Sequence, residues 1–351
     1  MLGFGECLTR ELPKLGIEPS VISPVARLGK LGKSAKSRKW LAYADKYLLF
    51  PKSLRKAAAN SDVIHVLDHG NAMYTSQLPP DSHLITCHDL LAMRAAGGEI
   101  DGWHVGPSGR KYQELIKKGL KKSNLIACVS QATLEDVSRV LNRAPERIRL
   151  IYNGQYQVLP TSSPEELSAL RKTLELPSKF LLHVGGDSVY KNRQGLLEIY
   201  QQLHKLLVDQ CPSLILAGRP LPEGSLSQIE RDAPGKVRVI DSPDRDQLSS
   251  LYQMATALVF PSTHEGFGLP ILEAQSLGCP VFTSNRSPML EVGGEAAVYF
   301  DPLAPLEAAK TVAAQLGNLD QMKNLGLQQS SKFSTRAMVT GYAKLYKEIK
   351  S

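Results

Sequence analysis

Two glutamates eight positions apart, Glu265 and Glu273, flank the turn Gly266-Phe267-Gly268-Leu269, which is followed by Pro270 and an apolar run from Ile271 to Leu277. Pro suits the opening of a helix, and the two glycines leave the backbone uncovered where that helix begins. The first N–H groups of a helix have no partner inside it and sit at the positive end of its dipole, so they suit a phosphate or sugar oxygen. Carboxylates on either side could accept hydroxyl groups. Each Glu also has a plain structural reading: Glu273 as a first-turn anion worth up to about 1 kcal/mol, and Glu265 as a solvated loop residue. Gly185-Gly186 follow the apolar run Phe180–Val184 and precede Lys191 and Arg193 at the start of a helical stretch. That spacing could cradle a diphosphate, or be only a turn. His88-Asp89 end another apolar run, His83–Cys87, where open α/β sheets bind ligands; a capping Asp beside a loop His fits as well. Asp244-Arg-Asp246 could hold a metal, but it directly precedes a helical pattern, and Asp246 reads as its N-cap. No metal site is assigned.

These residues need a scaffold of alternating strands and helices. Continuous apolar runs at 62–67, 83–87, 125–129 and 147–152 read as buried parallel strands, as do those at 180–184, 214–218, 237–240, 257–260 and 280–283. Ser20–Ser23 reads as one more short strand. Ser130 is a natural N-cap, Asn153-Gly154 a turn, and 95–109, with five glycines and Trp103, a mobile loop on the acceptor side. At 351 residues the chain exceeds one typical core. The division expected is 1–157, then 158–333, then a helix over 334–351 that returns to the first domain. The chain opens on a helix, Glu6–Leu15, where a doubly wound domain usually opens on a strand. Loss of a central strand would expose ladder groups, so a segment missing ahead of this helix is favoured over a fold that manages without it.

Residues 1–150 hold 23 of the 42 Lys and Arg but 14 of the 34 Asp and Glu, a balance of +9 against −1 for the remainder. The densest basic run, Arg27–Lys39, is a solvated loop or a surface for phosphates or an anionic bilayer, and Trp40–Phe50 follows with amphipathic helical spacing. No apolar run reaches 18 residues and no signal-peptide pattern opens the chain. Five scattered cysteines without a Cys-x-x-Cys pair fit a reducing cytoplasm. No helix-turn-helix or zinc pattern supports nucleic acid as a partner.

The string Glu265-Gly-Phe-Gly-Leu-Pro-Ile-Leu-Glu273, with Gly278-Cys-Pro-Val281 and Ser287-Pro-Met-Leu-Glu291-Val-Gly-Gly-Glu-Ala296, closely resembles the donor-site signature of retaining family 4 glycosyltransferases of the GT-B fold. The resemblance implies an α/β protein of two Rossmann-like doubly wound domains facing a cleft, with the C-terminal helix crossing back. It implies transfer of a hexose from a nucleotide-diphosphate sugar to an acceptor hydroxyl on a glycan, lipid or small molecule, with retention and without metal or other cofactor. Glu265 would approach the transferred sugar and Glu273 hold the ribose. The amides of Phe267, Gly268 and Leu269 would meet sugar or phosphate, and His88 would face the sugar from the acceptor side. Gly185, Gly186, Lys191 and Arg193 would take the diphosphate, although Gly186 and Tyr190 stand where the family often has Arg. The acceptor, the sugar and the nucleotide are left open, and an anionic inner membrane face is a possible peripheral contact. Two readings compete: a GT-B nucleotide-sugar epimerase, and an inactive, shortened anion-binding homologue.

Overall fold

The computed structural model describes residues 2–350 except 26, 27, 32, 33, 35, 36, 39, 40, 42, 43, 158 and 223. Much of the basic run, including Arg27, Lys33, Lys36 and Lys39, and Trp40 of the expected helix therefore lie outside the described residues.

Two parallel sheets carry the architecture. The first contains β1 (Ile64–Val66), β2 (His83–Cys87), β3 (Leu125–Cys128) and β4 (Ile148–Leu150), side by side in that order. The second contains β5 (Phe180–Val184), β6 (Ser213–Ala217), β7 (Val237–Ile240), β8 (Ala257–Phe260), β9 (Val281–Ser284) and β10 (Ala297–Phe300). Its spatial order is β10-β9-β8-β5-β6-β7. Strands β5, β6 and β7 are added in one direction and β8, β9 and β10 in the other, so the chain reverses between β5 and β8. In a doubly wound sheet the crevice at that reversal, outside the carboxyl ends of the strands, is where ligands bind. The loops leaving β5 and β8 carry Gly185–Lys191 and Pro261–Gly268.

Each sheet is covered on both faces, which is why its strands read as unbroken apolar runs. One face of the first sheet packs on Phe50, Leu54, Ile116, Leu120 and Val137, from the helices that follow or precede its strands. The other packs on Phe4, Cys7 and Leu8 of the helix Leu2–Glu11 and on Met338, Tyr342 and Leu345 of the helix Thr335–Lys350. The C-terminal helix thus follows the second sheet in sequence and braces the first. It is pinned by polar bonds as well: Tyr342 Oη lies 2.9 Å from Thr86 Oγ1, and His65 joins Tyr346 Oη at 2.8 Å to Thr86 Oγ1 at 2.7 Å.

Three local expectations change. Ser20–Ser23 is extended but unpaired, with Val21 and Ile22 exposed; among the described residues no strand precedes β1, and a strand needs a ladder partner. Residues 95, 96 and 107–109 are helical, in Leu91–Ala96 and Pro107–Lys122, which leaves 97–106 as the connection, and its Trp103 packs against Leu91, Ala95 and Ile100. The N-cap of the helix Arg245–Met254 is Asp244, two residues earlier than expected: its carboxylate accepts from Gln247 N at 2.9 Å, and Asp244 N donates back to Gln247 Oε1 at 3.1 Å.

Candidate active site

The β8 exit loop brings the first glutamate back over β5. Glu265 Oε1 pairs with Lys191 Nζ at 2.7 Å, and the two side chains are only 9% and 16% exposed. The Lys191 ammonium also lies over the rings of Phe260 (5.1 Å) and Tyr190 (5.7 Å), so aromatic faces and a carboxylate share one cation. Gly185 leads into this site: a Cβ there would rest against His183 Nε2 and Lys191 Cδ, whereas one at Gly186 would meet open space.

The helix Leu269–Ser276 starts from Gly268, whose φ of +97° is a conformation that disfavours a side chain. The amides of Gly268 and Leu269 therefore belong to a first turn whose N–H groups have no intrahelical partner. Phe267 points away, buried against Phe333 and Tyr152, so its side chain anchors the turn and only its backbone can serve a ligand. Gly266 is required by a close approach, because a Cβ would run into the carbonyl oxygen of His88 in the first domain.

Glu273 sits one turn along the same helix. Tyr252 Oη donates to its Oε2 at 2.9 Å, and burial raises its pKa against the opposing pull of Tyr252, Lys191 and Arg245. Arg245 also lines a cavity of about 240 Å³ with Gly3, Glu6, Arg10, Tyr156 and Gln157, where the first helix of the chain meets the second domain. Tyr156, another lining residue, has its pKa pushed up to about 12 by burial first and by Glu273 second. The cavity and Glu273 thus share one electrostatic environment.

Two of the expected residues also make structural contacts of their own. Arg193 is buried at the start of the helix Arg193–Leu207: its Nη1 donates to Arg219 O at 2.7 Å, while Nε and Nη2 have no hydrogen-bond partner among the described residues. It supports the β6 exit loop through that bond. His88 donates through Nε2 to the Leu67 carbonyl, 3.0 Å away, and meets the Phe4 ring edge-on at 5.2 Å. A carbonyl can only accept, so Nε2 carries the proton and Nδ1 is the acceptor; burial lowers the pKa and keeps the ring neutral. Asp89 lies one residue ahead of the N-cap Leu90 of the helix Leu91–Ala96, and its Oδ1 accepts from Leu91 N at 2.9 Å.

Sequence reasoning gave no role to three contacts that cross between the sheets. The hydroxyls of Ser130 and Thr133 donate to Gly266 O at 2.7 and 3.1 Å. Glu291 accepts from Gln131 N at 2.7 Å and from Ala132 N at 3.0 Å. Trp103 stacks on Tyr190, with ring centroids 5.5 Å apart and 27° between the planes.

A carboxylate, a cation and an open helix start thus lie at the switch point of a doubly wound sheet, where such sheets bind ligands, and face a second parallel-sheet domain. The chain belongs to the glycosyltransferases of the GT-B fold. Residues 168–328 match the family model Glycosyl transferases group 1, and residues 6–155 match Glycosyltransferase Family 4. The O-antigen chain mannosyltransferase B of Escherichia coli is 30% identical over 311 residues, covering 86% of this chain and 78% of that protein. The serotype-specific mannosyltransferase WbdA of the same organism is 27% identical over 292 residues, and the match spans 35% of its greater length. A solved structure of Anabaena HepE in complex with UDP-glucose superposes with a TM-score of 0.69 at 17% identity, covering 97% of this chain and 88% of that one.

Proposed function

We propose that this glycosyltransferase moves mannose from a nucleotide-diphosphate carrier to a hydroxyl of a growing glycan, with retention of the anomeric configuration. The observation that carries the reading is the Lys191–Glu265 pair beside the first turn of the helix Leu269–Ser276. A donor laid along that turn has its leaving diphosphate next to Lys191 and the helix dipole, the fixed positive charge that a developing phosphate anion needs. Glu265, released from Lys191 by the diphosphate, accepts hydroxyls of the sugar. Glu273 holds the ribose, with the nucleoside toward the cavity lined by Tyr156 and Arg245. The acceptor enters from the His88 side. The bond from C1 to the phosphate oxygen breaks, the bond from C1 to the acceptor oxygen forms on the same face, and the hydroxyl proton passes to the departing phosphate oxygen. Mannose is chosen from the similarity to mannosyltransferases, and the nucleotide link from the sugar-nucleotide complex of a protein of the same fold.

Peripheral contact with an anionic membrane face belongs to the same reading. Leu31 and Leu48 are 71% and 67% exposed among the basic residues Lys30, Lys46 and Lys52. Sedimentation with phosphatidylglycerol vesicles but not with phosphatidylcholine vesicles would support it; equal partition would remove it.

Incubation with GDP-mannose and, separately, UDP-glucose, with and without mannosyl oligosaccharides, tests the function. An α-linked mannosyl product, read by its anomeric carbon–proton coupling, is expected from GDP-mannose. A β-linked product refutes retention, and an epimerised donor formed without acceptor refutes transfer.

A further inference from the structure

The seam between the domains is built around one carboxylate with no assigned role. Glu291 lies in the short helix Met289–Gly293 of the second domain, which Gln329 holds from behind by donating to Val292 O at 3.2 Å. Its two oxygens reach across and accept the first two amides of the helix Gln131–Leu141 in the first domain. Those amides have no partner within their own helix, so a carboxylate supplied by the other domain completes the helix start and meets its dipole. The Tyr152 side chain, beyond β4, interacts electrostatically with the same carboxylate.

The same helix start holds the donor loop. Ser130 is its N-cap, accepting from Thr133 N at 3.0 Å, and the hydroxyls of Ser130 and Thr133 converge on Gly266 O. Gly266 is the neighbour of Glu265 and presses on the His88 carbonyl. A single turn of helix thus connects Glu291 on one side with the Glu265–Gly266–Phe267 turn on the other. Both ends of the connection belong to the second domain, and the middle belongs to the first. Moving the domains apart breaks both ends at once.

We propose that Glu291 is a positioning residue: by closing both oxygens on the start of the helix Gln131–Leu141 it sets the register between the domains and thereby places Glu265 for transfer. It touches neither donor nor acceptor in this role, and acts through Ser130, Thr133 and Gly266. Charge-assisted bonds to two amides are the strong kind, so their loss is felt in the closed state and not in the separated domains.

The test pairs Glu291→Ala with Thr133→Val, which removes one of the two hydroxyls at the other end of the connection while keeping the side-chain shape. Hydrogen exchange followed by mass spectrometry needs no substrate and does not depend on the transfer reading; sugar turnover does, and is measured separately. In Glu291→Ala, exchange should speed by about tenfold or more at the Gln131 and Ala132 amides and also rise across residues 262–270, with β5 and β6 unchanged. Turnover from GDP-mannose should fall roughly ten- to hundredfold in kcat/KM at an unchanged melting temperature of the second domain. Thr133→Val should raise exchange across 262–270 too, and Glu291→Gln, which keeps one acceptor oxygen, should fall between the wild type and Glu291→Ala. Faster exchange confined to Gln131 and Ala132, or turnover per folded molecule within twofold of the wild type, would overturn the proposal. If no variant or wild-type protein turns over any sugar, the exchange result alone decides it.

Discussion

Replacing Lys191 by Met removes the cation of the site and keeps much of its volume. At 2.7 Å, two unit charges attract by about 6 kcal/mol at an effective dielectric constant of ~20. Desolvation of both groups offsets most of that, so the intact pair adds little net stability. Removing only the cation is different: Glu265, 9% exposed, keeps its desolvation penalty and loses its partner, at a cost of roughly 3–5 kcal/mol. The stacking of the ammonium over Phe260 and Tyr190 is lost as well, about 0.5–2 kcal/mol more. Glu265→Gln should cost less, because Lys191 keeps its aromatic faces and can reach water. The double variant Lys191→Met/Glu265→Gln should be more stable than Lys191→Met alone by roughly 2–3 kcal/mol, the coupling between neighbours that share one interaction. At ~2–4 °C per kcal/mol for a domain of this size, Lys191→Met should lower the melting temperature by roughly 10 °C, and the second change should restore about half of that. Calorimetric scans at pH 7 read both quantities. A double variant no more stable than the single would refute the buried pair, and with it the picture of Glu265 as a carboxylate held ready by Lys191.

Glu273→Gln should weaken nucleotide-sugar binding by about tenfold or more, since hydrogen bonds to a charged group contribute ~1.5–3 kcal/mol. Because burial raises the Glu273 pKa, ionisation at pH 7 opposes folding; the same variant should therefore melt higher than the wild type without ligand, and a lower melting point would contradict this. Gly266→Ala, forced against the His88 carbonyl, should cost about 1–3 kcal/mol of stability and most of the turnover, measurable by urea unfolding and a transfer assay. The buried histidines His65 and His183 have pKa values lowered to about 3 by burial, against 6.5 when unfolded. The unfolded chain then binds the extra protons, so their contribution is complete above pH 6.5 and is lost as pH falls toward 3. Each should remove roughly 2 kcal/mol between pH 6.5 and 5, and His183→Leu should flatten part of that slope; equal slopes in both proteins would contradict it. Tyr346→Phe deprives His65 Nδ1 of its partner and should cost about 1–2 kcal/mol, seen as earlier release of the C-terminal helix in hydrogen exchange.

The turn between Glu265 and Glu273 is legible because its signals are local. Glycines, a proline at the helix opening and an apolar run describe the segment around Glu265 and Glu273 without reference to any distant residue. Lys191 could be read in the same way from its distance to Gly185. The burial of Arg193 is legible as well: it falls in phase with Leu196, Leu197 and Tyr200, which marks the buried face of its helix. Ser20–Ser23 has β-forming residues, but a strand is stabilised by its ladder, and no neighbour in the described residues supplies one. The seam was out of reach because Ser130 and Gly266 are 136 positions apart and Glu291 lies 160 from Gln131. Nothing in the composition of either segment names the other, and only the packing of the two sheets brings them together.

The central claim is that the helix start at Gly268, with Lys191 and Glu273 beside it, holds a nucleotide-linked sugar. Titration calorimetry of GDP-mannose and UDP-glucose into the wild type, Glu273→Ala and Lys191→Met tests it most directly. The account predicts that the wild type binds one of the two donors and that each variant binds it about tenfold or more weakly. Equal affinity in all three proteins would contradict it.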